Sequence, residues 1–264
     1  MPYYHELKKI TEALESARKV LSTWTLDKIT VERKAGGSPV TQADLAVNKL
    51  LRERLPAEGE GWLSEESKDP GDRLDKSRVW IVDPLDGTKE FISGIPEWCV
   101  SIGLVEDGVP VAGGILNPAA DLLITGAAGH GVTLNGEPSH LAFRATVLDA
   151  EVLASRSEVN RGEWNRFQRA PFKMTPCGSV AYKLGCVAAG LADATWTLVP
   201  KNEWDVAGGV ALILAAGGRA TLQDGSEIKF NRPDPLLPGL VAANKRLHQA
   251  ILGFLRSQDA VVGI

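Results

Sequence analysis

The chain has 264 residues, 44% of them apolar, with 29 Lys and Arg against 33 Asp and Glu for a net charge of −4. That length supplies one large domain or two of ordinary size, and a small negative charge of evenly mixed sign excludes a nucleic acid polymer or an anionic membrane as partner. Three cysteines without a CxxC spacing and four scattered histidines leave zinc and haem without ligands, so any metal must sit among carboxylates, which select a hard cation such as Mg²⁺.

The odd set Cys99, Cys177 and Cys186 reads as reduced, buried thiols of a cytoplasmic protein. The opening MPYYHELKKI has no apolar core of a signal peptide, and the run from Val206 to Gly218 is too short and too glycine-rich to span a bilayer.

In chain order, Leu7, Ile10, Leu14, Ala17 and Leu21 recur at helical spacing and predict an amphipathic helix from His5 to Trp24. Glu32 to Val40 is turn-rich, and Thr41 can cap a second helix carrying Ala43, Val47, Leu50, Leu51 and Leu55. Gly61 to Ser64 and Val79 to Val82 read as strands that run into acidic residues. A meander follows: strands Cys99 to Val105, Val109 to Leu116 and Leu122 to Ala127, with hairpin signals at Asp107-Gly108 and Asn135-Gly136. This half reads as α+β with an antiparallel sheet.

Beyond Ala145 strands and helices alternate. Glu151 to Ala154, Ala194 to Leu198, Arg219 to Leu222 and Leu240 to Ala243 read as strands. Val180 to Ala189 and Val206 to Ala216 read as helices, and Asn244 can cap a last one ending near Arg256. The second half is α/β in character. The boundary lies between an N-terminal part, residues 1–145, and a C-terminal part, residues 146–264.

The segment VWIVDPLDGTKEF, residues 79–91, concentrates the chemistry. A buried strand delivers Asp83 to its C-terminal end. Pro84 predicts a turn that brings Asp86 back beside it. Gly87 and Thr88 then offer backbone amides to a phosphate. Two carboxylates beside amide donors make sense with a divalent cation between acids and phosphate. The same residues are also good turn chemistry, without any ligand. The aspartyl-phosphate motif DxDGT is one residue shorter than DPLDGT and ranks below the metal reading. Elsewhere, Glu65 and Glu66 follow a strand; Asp205 fits a helix N-cap and Asp44 a capping box with Thr41.

SPVTQAD (38–44), LSEES (63–67), DPLDGT (83–88) and EWDVAGG (203–209), in this order and with the last two about 120 residues apart, resemble the inositol monophosphatase family of metal-dependent, lithium-sensitive phosphomonoesterases. The resemblance implies a layered αβαβα sandwich and, by position, metal ligands Glu66, Asp83, the Leu85 carbonyl, Asp86 and Asp205, with Glu66 preferred over Glu65. It implies Asp44 and Thr88 as the pair that orients the attacking water, Gly87 and Thr88 amides at the phosphate, and Gly178, Ser179, Lys183 and Asp205 toward the substrate. It further implies two or three Mg²⁺ ions, direct displacement by water without a covalent intermediate, a small phosphate ester as substrate, and a homodimer.

Within the family, Lys183 and the Lys89-Glu90-Phe91 run look like the 3'(2'),5'-bisphosphate nucleotidases, and Leu198 stands where inositol enzymes have an acid that contacts the sugar ring. GSVA at 178–181 and Asn135-Gly136 look like the inositol branch. Lys183 also reads as an exposed helix lysine. The leading expectation is a bisphosphate nucleotidase. The alternatives are an inositol or other polyol monophosphatase and, further off, a non-catalytic metal- or phosphate-binding protein.

Overall fold

The computed structural model describes residues 2–24, 31–33 and 39–262. Along the chain it has α1 (Tyr4–Leu21), β1 (Val31–Arg33), β2 (Pro39–Thr41), α2 (Gln42–Arg54), β3 (Gly61–Ser64), β4 (Arg78–Asp86), α3 (Thr88–Ile92), β5 (Cys99–Glu106), β6 (Val109–Asn117), β7 (Leu122–Ala127), β8 (Gly131–Leu134) and β9 (Glu137–Ser139). There follow β10 (Glu151–Ser155), α4 (Arg156–Asn160), β11 (Lys173–Cys177), α5 (Val180–Ala188), β12 (Ala194–Trp196), β13 (Lys201–Asn202), α6 (Glu203–Ala215), β14 (Arg219–Leu222), β15 (Leu236–Leu237), β16 (Leu240–Ala243) and α7 (Lys245–Val262).

Strands β3 to β9 form one sheet in sequence order, and a second sheet has the order β11-β10-β12-β16-β14. Helices α1 and α2 cover the outer face of the first sheet. Helices α5 and α6 fill the space between the sheets, and α7 closes the far side. The result is the expected αβαβα sandwich. Its three apolar layers are populated by Ile10, Leu14 and Leu51 outside the first sheet, by Ile115, Leu184, Val210 and Ala242 between the sheets, and by Trp164, Trp196 and Ile251 under α7.

Several expectations need correction. The first sheet is mixed, because β3 joins β4 in parallel; residues 65–77 carry the chain back before β4 begins. Helix α6 starts at Glu203, three residues before Val206, because Asn202 caps it and Asp205 closes a capping box at its third position. Asp205 is therefore not the N-cap. Pro84 does not turn the chain out of the sheet: β4 continues through Asp86, with Asp83 opposite Ser101 and Asp86 opposite Cys99, so one extra residue bulges between them. Residues 34–38 of the turn-rich stretch, with Ser38 of the first motif, lie outside the described residues.

Helix α6 lies unusually close to the first sheet. A methyl group on Gly113 would stand 2.4 Å from the Gly208 carbonyl, so neither a side chain there nor a wider helix separation is compatible with this packing. That approach carries Asp205, at the head of α6, to the bulge of β4.

Candidate active site

The buried run Val79 to Val82 ends at Asp83, itself buried, whose Oδ1 accepts the Leu85 amide at 3.0 Å. The bulge turns Asp86 toward α5. Its Oδ2 accepts the Ser179 hydroxyl and the Ala181 amide, each at 2.7 Å. Asp205 Oδ2 accepts the Asn202 amide at 2.9 Å. Each of the three carboxylates is thus fixed through one oxygen, and the other oxygen has no protein donor among the described residues.

Burial raises the Asp83 carboxyl well above its ordinary range, and the charges of Glu65, Asp86 and Asp205 push it further. Asp205 is raised in the same way, by burial first and then by Asp86 and Glu65. Oriented, mutually repelling oxygens are the donor set of a hard cation. Among the described residues no three His, Cys, Asp or Glu side chains stand together closely enough to hold a metal ion by themselves. Mg²⁺ is usually held by one or two carboxylates together with water and phosphate oxygens, so an open arrangement suits it.

Glu65, not Glu66, lines this cleft with Asp83, Asp86 and Asp205. The cause is local. Asn48 on α2 accepts the Ser64 hydroxyl at 2.8 Å, and its amide donates to the Glu66 carbonyl at 3.3 Å and to Ser67 Oγ at 3.1 Å. With the turn held this way, the first acid of the doublet faces the site and the second does not line it.

Thr88 and Asp44 meet across 44 residues. The Thr88 hydroxyl stands 3.3 Å from Asp44 Oδ1 and 3.1 Å from the Leu85 carbonyl. Asp44 is buried, and its other oxygen accepts both the amide and the hydroxyl of Thr41. The capping box and the contact to the site use different oxygens of one carboxylate. Gly87 lies at φ +95°, and a methyl group there would sit 3.0 Å from the Glu97 carbonyl, so the turn into α3 admits only glycine comfortably.

A second cleft with about 200 Å³ of room adjoins the acidic one and shares Asp86, Lys89, Glu90 and Asp205 with it. Its far wall is made by Ser155, Arg156, Ser157, Gly178, Ser179 and Lys201. Ser179 caps α5 through Tyr182 N while holding Asp86, and its φ of +45° is a strained conformation for a side-chain-bearing residue. Glu97 ties the wall together, accepting the Gly178 amide at 2.6 Å and the Arg156 guanidinium at 2.6 Å.

Lys183 borders this cleft but does not offer its charge to it. It is buried, and its ammonium donates to the carbonyls of Cys177 at 3.3 Å, Gly178 at 3.3 Å and Ser179 at 2.9 Å. An ammonium has three donors, so this one is saturated by the loop it closes, and burial lowers its pKa. The reading of an exposed helix lysine is thereby corrected; a direct contact from Lys183 to a second phosphate would have to displace one of these carbonyls. Leu198 does not line either cleft; its amide donates to Glu158 at 3.0 Å.

The inositol monophosphatase family model matches residues 4–260. The chain belongs to the inositol monophosphatase family. It is 34% identical over 231 residues to inositol monophosphatase 3 of Solanum lycopersicum, covering 82% of this chain and 85% of that protein. It is 32% identical to a 3'-phosphoadenosine 5'-phosphate phosphatase of Mycobacterium leprae, covering 81% and 80%. The inositol monophosphatase structure from Anabaena (Nostoc) superimposes with a TM-score of 0.79 at 30% identity, covering 97% of each chain. As a member of this family the protein is a phosphatase.

Sequence reading ranked Glu65 below Glu66, and it did not place Glu90, Arg156 or Lys201 at the site. Arg156 follows directly on the end of β10, between two serines, and its position at a strand end was the available signal. Glu90, half buried beside Asp86 and raised by that burial, follows the DPLDGT motif by two residues.

Proposed function

We propose that this phosphatase uses Mg²⁺, two or three ions, to hydrolyse a 3'(2'),5'-bisphosphate nucleotide, releasing a nucleoside monophosphate and phosphate. Glu65, Asp83, Asp86, Asp205 and the Leu85 carbonyl would hold the ions, which when bound polarise the phosphate and lower the pKa of the attacking water. The Thr88 hydroxyl, seated between Asp44 Oδ1 and the Leu85 carbonyl, orients that water and passes its proton toward Asp44. The Gly87 and Thr88 amides receive the phosphate oxygens at the head of α3.

The observation that carries the nucleotide reading is the change of charge along the joined clefts. Glu65 and Asp83 line only the acidic cleft and Arg156 and Lys201 only the second one, with Asp86, Lys89, Glu90 and Asp205 shared between them. A substrate with a second anion beyond the scissile phosphate suits that gradient. The inositol monophosphatase reading has its own support, in the names of relatives such as the tomato protein and in the GSVA loop at residues 178–181. Three buried free thiols support a reducing, cytoplasmic setting, and the family resemblance supports a homodimer. No described helix is long and apolar enough to cross a membrane.

The test is phosphate release from adenosine 3',5'-bisphosphate, inositol 1-phosphate and a generic aryl phosphate, with and without Mg²⁺. The expected order of kcat/KM places the bisphosphate first. A preference for inositol 1-phosphate would move the protein to the other branch, and no Mg²⁺-dependent release from any ester would reject the metal mechanism.

A further inference from the structure

We propose that Lys201, held in place by the buried carboxylate of Glu158, is the specificity-determining cation that receives a second anionic group of the substrate. The proposal rests on the bisphosphate reading above and assigns to one side chain the charge that reading requires.

Strand β13 carries Lys201 four residues ahead of Asp205 and is anchored by pairing with Leu237 on β15. Its ammonium lies 3.0 Å from Glu158 Oε1, with the lysine side chain 15% exposed and the glutamate fully buried. The other oxygen, Glu158 Oε2, accepts the Trp164 indole N–H and the Leu198 amide, each at 3.0 Å. Both carboxylate oxygens are therefore engaged, which is the condition for keeping a charge away from water.

The donor inventory separates the lysines. Lys183 has its three N–H groups on three backbone carbonyls. Lys201 gives one N–H to Glu158, and among the described residues no other protein acceptor takes the remaining two. Lys89 also borders the cleft, but it is exposed, and ordering a free lysine side chain on a ligand costs conformational entropy. Lys201 is already immobilised by its partner. A partly desolvated, pre-placed ammonium makes the stronger charge-assisted hydrogen bond. Lys201 lines the second cleft, together with Asp205 and Lys183.

The matched pair adenosine 3',5'-bisphosphate and adenosine 3'-monophosphate, which differ by one phosphate, tests the assignment. Wild type should favour the bisphosphate. Lys201→Met should lower kcat/KM for it roughly 10- to 100-fold, mainly through KM, the loss expected for one hydrogen bond to a charged group. The monophosphate, which lacks the second anion, should lose less, so that the ratio of the two kcat/KM values falls, and Lys201→Arg should restore much of that ratio. Glu158→Gln should raise KM for the bisphosphate while leaving kcat nearly unchanged, with its thermal midpoint recorded in parallel; Lys201→Met, at a partly exposed position, carries the test if that variant does not fold. A wild type that favours the bisphosphate and a Lys201→Met variant that keeps the preference would overturn the assignment and leave the nucleotidase reading standing. A wild type indifferent to the second phosphate would overturn both, before any substitution is made.

Discussion

Asp83→Asn should have opposite effects on the protein with and without Mg²⁺. The substitution keeps the Oδ1 acceptor for the Leu85 amide and replaces the second oxygen, which faces other carboxylates, by a neutral donor. Without metal, Asp83 is raised by burial and by Glu65, Asp86 and Asp205. A carboxyl raised in the folded state favours folding below its ordinary pKa, near 4, and loses that contribution as pH rises through the raised value. Above its ordinary pKa the metal-free wild type therefore loses stability that a neutral side chain keeps, and Asp83→Asn should melt at the same temperature or higher. With Mg²⁺ at 100 times its dissociation constant, linkage adds about 2.7 kcal/mol to the wild type. Unfolding entropy of about 2.1 cal/mol/K per residue gives roughly 0.55 kcal/mol/K over 264 residues, so the thermal midpoint should rise by about 5 °C. The variant should rise by less than about 1 °C, having lost a ligand. Scanning calorimetry at pH 7.5, with EDTA and with saturating Mg²⁺, reads both effects. A full Mg²⁺ shift in Asp83→Asn, or none in the wild type, refutes the carboxylate site.

Thr88→Ala should keep the Mg²⁺-induced rise in midpoint while turnover falls about 100-fold; near-normal turnover would reduce Thr88 to a helix-start residue. Asn48→Ala releases the turn that aims Glu65 and should raise the Mg²⁺ concentration for half-maximal activity about tenfold, and an unchanged requirement would detach Glu65 from the metal. His248 is buried against Thr221, and burial depresses its pKa to about 4. A depressed histidine is neutral in the fold while the unfolded chain takes up a proton, so stability should fall between pH 6.5 and about 4 by up to about 1.4 kcal/mol per pH unit. Urea midpoints at pH 7 and pH 5 check this, and His248→Gln should flatten the difference.

What the sequence determined by itself is local. Alternating strands with Asp-Gly and Asn-Gly turns specify the hairpins at Asp107 and Asn135, both of which adopt positive φ as the turn type demands. The apolar spacing of α1, the capping signal of α2 and the run that ends at Asp83 depend on neighbours within one or two turns of chain. They were legible for that reason. DPLDGT keeps Asp83 and Asp86 three residues apart, but their meeting in a bulge and not in a turn depends on the pairing with β5.

Tertiary structure decided what depends on partners far along the chain. Asn48 selects Glu65 over Glu66, although the two are adjacent acids with the same chemistry. Asp44 serves a cap and the site at once only because α2 passes the head of α3. Lys183 and Lys201 are equal as letters, yet one is saturated by three carbonyls of its own loop and the other is left with unused donors by a glutamate 43 residues away. A side chain's type states which bonds it can make; whether those bonds are already made is a property of the packed fold, because only packing fixes which acceptors are near and which face the cleft.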